Sequence, residues 1–245
     1  LNVINAAKFF YQALVKGDES ARFSLAERLA NKIYPRYKFS EFGRIFLYDE
    51  AFIQYYESFH KTRNFHSFDR KYALNQLIKL TLSLDGDTAE CGVYEGASSY
   101  LICRRTSGLE KAHHVFDSFE GLSPPSLEDG DYWRKGDLSC GEETIRDNLK
   151  MFTDVHYYKG WIPTRFQEVS DVMFCFVHLD IDLYQPTWDS LNFFYERMVP
   201  GGIILCDDYG FSTCPGAKKA MDSYCSDKPE AIISLPTGQG FIMKK

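Results

Sequence analysis

From residue 86 onward, short apolar runs alternate with stretches of helical spacing, and this alternation limits the fold more than any other feature. The apolar runs fall at 88–93, 114–116, 155–158, 173–179 and 203–206. Helical spacing fills 70–82, 98–105, 142–152, 187–198 and 215–226, and residues 121–141, rich in Gly, Pro, Ser and Asp, read as a loop. Two last runs, 231–235 and 240–243, are joined by 236–239 and predict a terminal antiparallel hairpin. Strands separated by helices pair in parallel and are covered on both faces. The expected class is therefore α/β with a mostly parallel seven-stranded sheet, which binds ligands at the carboxyl ends of its strands.

Upstream, residues 2–16 read as an amphipathic helix through Ile4, Phe9, Phe10, Leu14 and Val15. Residues 23–60 carry Tyr34, Tyr37, Phe39, Phe42, Phe46, Tyr48, Phe52, Tyr55, Tyr56 and Phe59. Such aromatics pack helices on the main domain or on a second subunit, or form a lid over a bulky substrate, and the two roles are compatible. The expected organisation is a helical lid and oligomerisation region at 1–65, followed by a ligand-binding domain at 66–245. A chain of 245 residues, 44% hydrophobic, suffices for one sizeable core. Its net charge of −6 argues against a general grip on nucleic acid or on an anionic membrane. The seven cysteines form no CxxC pair, which predicts reduced, mostly buried thiols and no zinc site. No secretion signal and no run of 18 apolar residues stands out, so the expectation is a cytoplasmic protein.

The segment Glu90-Cys91-Gly92-Val93-Tyr94-Glu95-Gly96 has the form ExGxxxG between a strand and a helix. Glycine allows the tight turn and the close approach of a ligand to backbone. Ser98 and Ser99 open the next helix, whose free amides face whatever lies there. The dinucleotide pattern GxGxxG would place glycine where Glu90 stands. A carboxylate there repels a pyrophosphate but attracts the cationic part of S-adenosylmethionine, while the amides take its carboxylate. Asp117 ends the second strand about 20 residues on, where an acid pairs with ribose hydroxyls; the alternative is a cap for the following turn.

Asp180, in His178-Leu179-Asp180-Ile181-Asp182, ends the fourth strand, and Asp207-Asp208 ends the fifth. Neighbouring strands bring these acids together. Converging carboxylates repel unless a cation neutralises them, and oxygen-only donors favour Mg²⁺ or Ca²⁺. Such an ion lowers the pKa of a hydroxyl beside it, and Asp180 is placed to ligate it and to accept the proton. The other reading makes these acids caps and surface charges. His178, inside its strand, reads as a satisfied core histidine ahead of a catalytic one. His60, His66, His113, His114 and His156 are further candidate bases.

Together, the ExGxxxG turn, Val115-Phe116-Asp117-Ser118-Phe119-Glu120-Gly121-Leu122, the His178–Tyr184 segment with Thr187, and Gly201-Gly202 followed by Asp207-Asp208-Tyr209 resemble the macrocin O-methyltransferase family over about residues 65–245. The resemblance implies a Rossmann-like class I methyltransferase fold, S-adenosylmethionine, Mg²⁺ or another divalent cation, and a sugar or phenol hydroxyl of a natural product as small-molecule acceptor. It places Asp180, Asp207 and Asp208 on the metal, with Asp180 also as base. Glu90, Gly92, Val93, Tyr94, Glu95, Gly96 and Ser98 would line the methionine end, and Asp180 would border it. Asp117 would hold the ribose, with Ser118 and Phe119 near the nucleoside and Ser139, Gly160 and Trp161 near the adenine. Three alternatives stay open: a metal-independent methyltransferase with a histidine base, an NAD-dependent oxidoreductase, and a non-catalytic nucleotide-binding module. The oxidoreductase reading lacks a Tyr-x-x-x-Lys pair, since Tyr157 and Lys159 have the wrong spacing.

Overall fold

The computed structural model describes residues 3–36, 38–41, 43–59 and 67–245. Tyr37, Phe42, His60 and His66 lie outside them. The chain divides into two compact units, Leu1–Ile53 and Gln54–Lys245. In the first unit, α1 (Val3–Leu14) and α2 (Glu19–Ala30) are joined by a short turn. Asp18 caps α2 by accepting from the amide of Ala21 at 2.7 Å, and Arg22 ties the helices by donating to the carbonyl of Ala13 at 3.0 Å. Helix α3 (Glu50–Phe59) begins in the first unit and continues into the second.

The second unit is an α/β domain with a seven-stranded sheet. In chain order its elements are α4 (Phe68–Leu77), β1 (Asp87–Cys91), α5 (Ala97–Thr106), β2 (His113–Asp117), α6 (Glu142–Leu149), β3 (Val155–Lys159), β4 (Phe174–Leu179), α7 (Tyr184–Phe194), β5 (Met198–Cys206), α8 (Pro215–Cys225), β6 (Ile233–Ser234) and β7 (Gly240–Met243). The strand order is β3-β2-β1-β4-β5-β7-β6. Strands β1 to β5 pair in parallel, and β7 runs antiparallel to both β5 and β6. The chain leaves β1 toward β2 on one side and returns to β4 on the other, so the crevice at this reversal opens between the carboxyl ends of β1 and β4.

Period-two alternation along the central strands sorts the core. Ala89, Cys91, Val177, Leu179, Ile204 and Cys206 pack with Leu191 and Phe194 of α7 and with Ala217 and Met221 of α8. The alternate residues Glu90 and His113 face α5 through Ser99. Of the aromatics at 23–60, Tyr55 stacks on Tyr100 of α5 with ring centroids 5.5 Å apart, and Phe59 meets the same ring edge-on.

The fifth strand differs from the sequence expectation. It begins at Met198 rather than 203 and takes in Pro200-Gly201-Gly202, which reads as a turn. The pairing with β4 jumps from Phe174↔Met198 to Phe176↔Ile203, so this segment bulges out of the β4 ladder. It stays in the sheet because Gly201 donates to the carbonyl of Lys244 at 2.7 Å and Lys244 donates to that of Gly202 at 2.8 Å. Helix α7 correspondingly ends at Phe194.

The loop after β2 is fixed by one buried acid. One oxygen of Asp129 accepts from the amide and hydroxyl of Ser126, both at 2.7 Å, and the other accepts from the amide of Tyr184 at 2.6 Å. The loop is thereby tied to the first turn of α7. Asp129→Ala leaves these donors unpaired and is expected to cost about 2 kcal/mol, lowering the melting temperature by roughly 4–8 °C. A calorimetric scan of wild type and variant checks this, and an unchanged melting temperature would refute the tie.

Candidate functional site

Backbone geometry builds the first half of the site. Gly92 follows β1 at φ +78°, and a Cβ there would lie 2.0 Å from the carbonyl oxygen of Asp180. Only glycine lets the β1 turn pass so close to the end of β4. The amide of Asp180 in turn donates to the carbonyl of Cys91 at 2.9 Å. Gly96 caps α5 in the left-handed region. Asp117 clamps this turn from β2: one oxygen accepts from the amide of Val93 at 2.7 Å, the other from that of Phe119 at 2.6 Å. Burial raises the Asp117 carboxyl above its usual range, against the pull of those amides.

Beneath the turn lies a cavity of about 240 Å³. Of the expected cofactor residues, Gly92, Val93, Tyr94, Asp117, Ser118, Gly160, Trp161 and Asp180 are on its wall. Glu90, Glu95, Gly96, Ser98, Phe119 and Ser139 are not. Glu90 sits behind the turn, accepting from the Ser99 hydroxyl and lying 2.8 Å from Nδ1 of His178. Ser98 accepts from Lys71. The carbonyl of Glu95 accepts from Asn148 at 2.8 Å, and Phe119 is buried with Val93, Ile145 and Leu149.

The second half is the acid cluster. Asp180, Asp207 and Asp208 each offer an oxygen within 4.8 Å of the others. Asp180 and Asp208 line the cavity, whereas Asp207 lies beneath its wall. Asp182 joins them: it is buried, holds φ +57°, donates its amide to Asp208 at 3.0 Å and accepts from the Cys214 thiol at 3.3 Å. The cations come from α4 and β4. Arg70 donates to Asp207 through Nε and Nη2, Lys71 approaches Asp180 at 3.9 Å, and Nε2 of His178 lies 3.2 Å from Asp207.

Protonation follows from this placement. Burial opposes charge on every acid, but Arg70, Lys71 and His178 hold Asp207 well below the usual carboxylate range. Burial and then Asp207 raise Asp180 to about 6; burial and then Asp180 raise Asp182 to about 7. Asp208 is pushed well up by burial and its acidic neighbours. Burial opposes charge on His178, but the Asp207 and Glu90 carboxylates on either side of the ring outweigh it and raise it to about 10. Five carboxylates, counting Glu90, face three cations. The raised carboxyls show that these cations leave the cluster undercompensated, and its oxygen donors fit a divalent cation that would release their protons.

Asp182, Arg70, Lys71, Cys214 and Gln239 were not singled out from the sequence. The repeat of Asp two residues after Asp180 was a usable signal for Asp182. The others arrive from distant helices and from the terminal hairpin without a local pattern. Among the described residues no histidine lines the cavity. His113 is held between Thr88 at 2.9 Å and Ser99 at 3.0 Å, and His114 pairs with Asp87 at 3.0 Å. His156 stacks on the ring of His114.

The family described as Macrocin-O-methyltransferase (TylF) matches residues 70–231. The demethyldecarbamoylnovobiocin O-methyltransferase of Streptomyces niveus is 30% identical over 161 residues, 58% of this chain and 59% of that protein. The 8-demethyl-8-(2,3-dimethoxy-alpha-L-rhamnosyl)-tetracenomycin-C 4'-O-methyltransferase of Streptomyces olivaceus is 28% identical over 146 residues, 54% of this chain and 56% of that protein. The chain thus spans less than two thirds of the length of these curated relatives. The crystal structure of CalS11, a calicheamicin methyltransferase, shares the fold with a TM-score of 0.65 at 16% identity, over 92% of this chain and 93% of that one.

The network behind the cavity has a measurable signature. Burial pushes His113 from its ordinary 6.5 down to about 4. Between these values the unfolded chain binds a proton that the folded protein refuses, so this stability is present above pH 6.5 and lost as pH falls toward 4. His113→Gln should cost about 1–3 kcal/mol at pH 7 and lose less stability than wild type on going to pH 5. Urea unfolding at both pH values reads this, and equal losses would count against a buried neutral His113.

Proposed function

Because the chain belongs to the macrocin O-methyltransferase family, we propose that it is an S-adenosylmethionine-dependent, Mg²⁺-dependent O-methyltransferase acting on a hydroxyl of a sugar or glycosylated natural product. The observation that carries this reading is the shared cavity: the glycine turn with Asp117 and the acids Asp180, Asp182 and Asp208 all line it.

Bound S-adenosylmethionine would supply an electrophilic methyl group, and a divalent cation held by Asp180, Asp207 and Asp208 would supply positive charge beside the acceptor oxygen. The chain's own residues do the rest. The turn at Gly92–Tyr94 presents backbone to the methionine end. Asp117 accepts from the amides of Val93 in the turn and Phe119 in its own loop, and its carboxylate, on the cavity wall, is the group proposed to meet the ribose hydroxyls. Tyr132, Trp133, Trp161 and Phe211 wall the cavity and limit water. Asp180 borders both halves and is the carboxylate proposed to take the hydroxyl proton; Asp182, held by Cys214, is the second candidate. The sugar class is supported by the rhamnosyl acceptor in the name of the Streptomyces olivaceus relative.

The same reading takes the protein as a cytoplasmic homo-oligomer, with residues 1–65 as lid and interface. Its seven cysteines are all unpaired, which suits a reducing compartment. Among the described residues no helix is long and apolar enough to cross a membrane. One observation favours a metal-independent methyltransferase instead: Arg70 already pairs with Asp207.

Titration with S-adenosylhomocysteine and methyl transfer to a panel of glycosides test the proposal. Asp180→Asn and Asp208→Asn should each lower kcat/KM by about 10²-fold or more while leaving S-adenosylhomocysteine affinity within about threefold. A chelator should abolish turnover, and added Mg²⁺ should restore it. Full turnover after chelation would select the metal-independent reading, and absence of S-adenosylhomocysteine binding would remove both.

A further inference from the structure

Arg70 lies among the three carboxylates of the acid cluster. Its Nε and Nη2 both donate to Oδ2 of Asp207, and Nη2 lies 3.6 Å from Oδ1 of Asp180 and 3.6 Å from Oδ1 of Asp208. It therefore reaches all three carboxylates expected to hold the ion. The remaining oxygen of Asp207 accepts from Gln239 Nε2 at 2.6 Å and lies 3.2 Å from His178 Nε2. Asp207 thus has both oxygens engaged while the guanidinium is in place.

The side chain has somewhere to go. Arg70 itself lines the cavity, and its guanidinium carbon lies 4.7 Å from the centroid of the Phe211 ring, which also lines it. Buried carboxylates left without a cation are strongly disfavoured, so a resident guanidinium lets the cluster form before any ion arrives. A divalent ion among the same oxygens would face a positive charge at contact distance, and the two repel strongly in a site shielded from water.

We propose that Arg70 is a built-in counter-cation that the divalent cation displaces from Asp207. The cluster then has two states, guanidinium-on and metal-on, and the Arg70–Asp207 pair sets the apparent metal affinity by limiting the fraction of protein ready to bind. This rests on the divalent-cation reading of the preceding subsection.

Mn²⁺ binding to the full chain, followed by calorimetry and by electron paramagnetic resonance of the free ion, tests it without turnover. Arg70→Met keeps the reach of the side chain and removes the charge, and should bind Mn²⁺ about tenfold tighter than wild type. Arg70→Lys keeps a competing cation and should stay within about threefold of wild type. If Arg70→Met binds equally or more weakly than wild type, the displacement proposal is wrong while the divalent-cation reading survives. If neither wild type nor Arg70→Met binds Mn²⁺ at millimolar concentration, both fall.

Should Arg70→Met fail to fold, the wild-type protein decides. Labelling with phenylglyoxal, mapped to the Arg70 peptide by mass spectrometry, should speed up when Mn²⁺ is added, because the freed guanidinium enters the cavity. Labelling of Arg70 that is unchanged or slower with Mn²⁺ overturns displacement.

Discussion

The imidazole of His178 lies between two buried carboxylates, and both halves of the site depend on it. Its Nδ1 is 2.8 Å from Glu90 and its Nε2 is 3.2 Å from Asp207. These three residues come from the adjacent strands β1, β4 and β5. A neutral ring would leave both buried carboxylates without a positive charge between them; the imidazolium supplies one to each. This is why the carboxylates raise the ring to about 10 despite complete burial. On one side the chain of contacts continues through Ser99 to His113, and on the other through Asp207 to Gln239 and Arg70. Glu90 thus acts from behind the turn: it fixes the imidazolium that in turn orients Asp207.

A second constraint keeps the two halves in register. Gly92 passes against the carbonyl of Asp180, and Asp180 returns a hydrogen bond to Cys91. Any side chain at position 92 would push β1 and β4 apart at their carboxyl ends. The glycine turn and the acid cluster cannot drift independently, which is the fixed placement that the proposed transfer between two bound groups would need. Asp117 locks the same turn from the other side by accepting from the amide of Val93, while its other oxygen accepts from Phe119 in its own loop.

Much of this was legible in the sequence because the signals were local. Strand runs flanked by turn residues gave the parallel sheet and the terminal hairpin, and acids at two strand ends gave Asp180, Asp207 and Asp208. What local pattern could not supply was the set of partners. Glu90 reads as a residue facing the ligand, yet alternation along β1 turns it toward α5. His178 reads as a core histidine, and it is one, but its two carboxylate neighbours lie 88 residues upstream and 29 residues downstream in the numbering. Arg70 sits 137 residues from Asp207, and only the burial of Arg70 and Lys71 on their helix, not any local sequence pattern, marks them. The Pro-Gly-Gly segment reads as a turn because its ladder partner is the far end of the chain, at Lys244.

The charge balance is also an argument about purpose. Replacing a buried ionic cluster with well-packed apolar residues is often neutral or stabilising, so acids gathered around one cavity are not there for the fold. Asp207 alone is fully compensated, by Arg70, Gln239 and His178. Asp180, Asp182 and Asp208 remain short of positive charge, which is what their raised protonation ranges express. Those three, rather than Asp207, line the cavity. The unmet demand for a cation is therefore concentrated on the cavity wall. Aromatic walls that limit water leave less bulk solvent to screen that demand. The site favours whatever brings positive charge into the cavity, because a cation there would let the carboxyls that face it ionise.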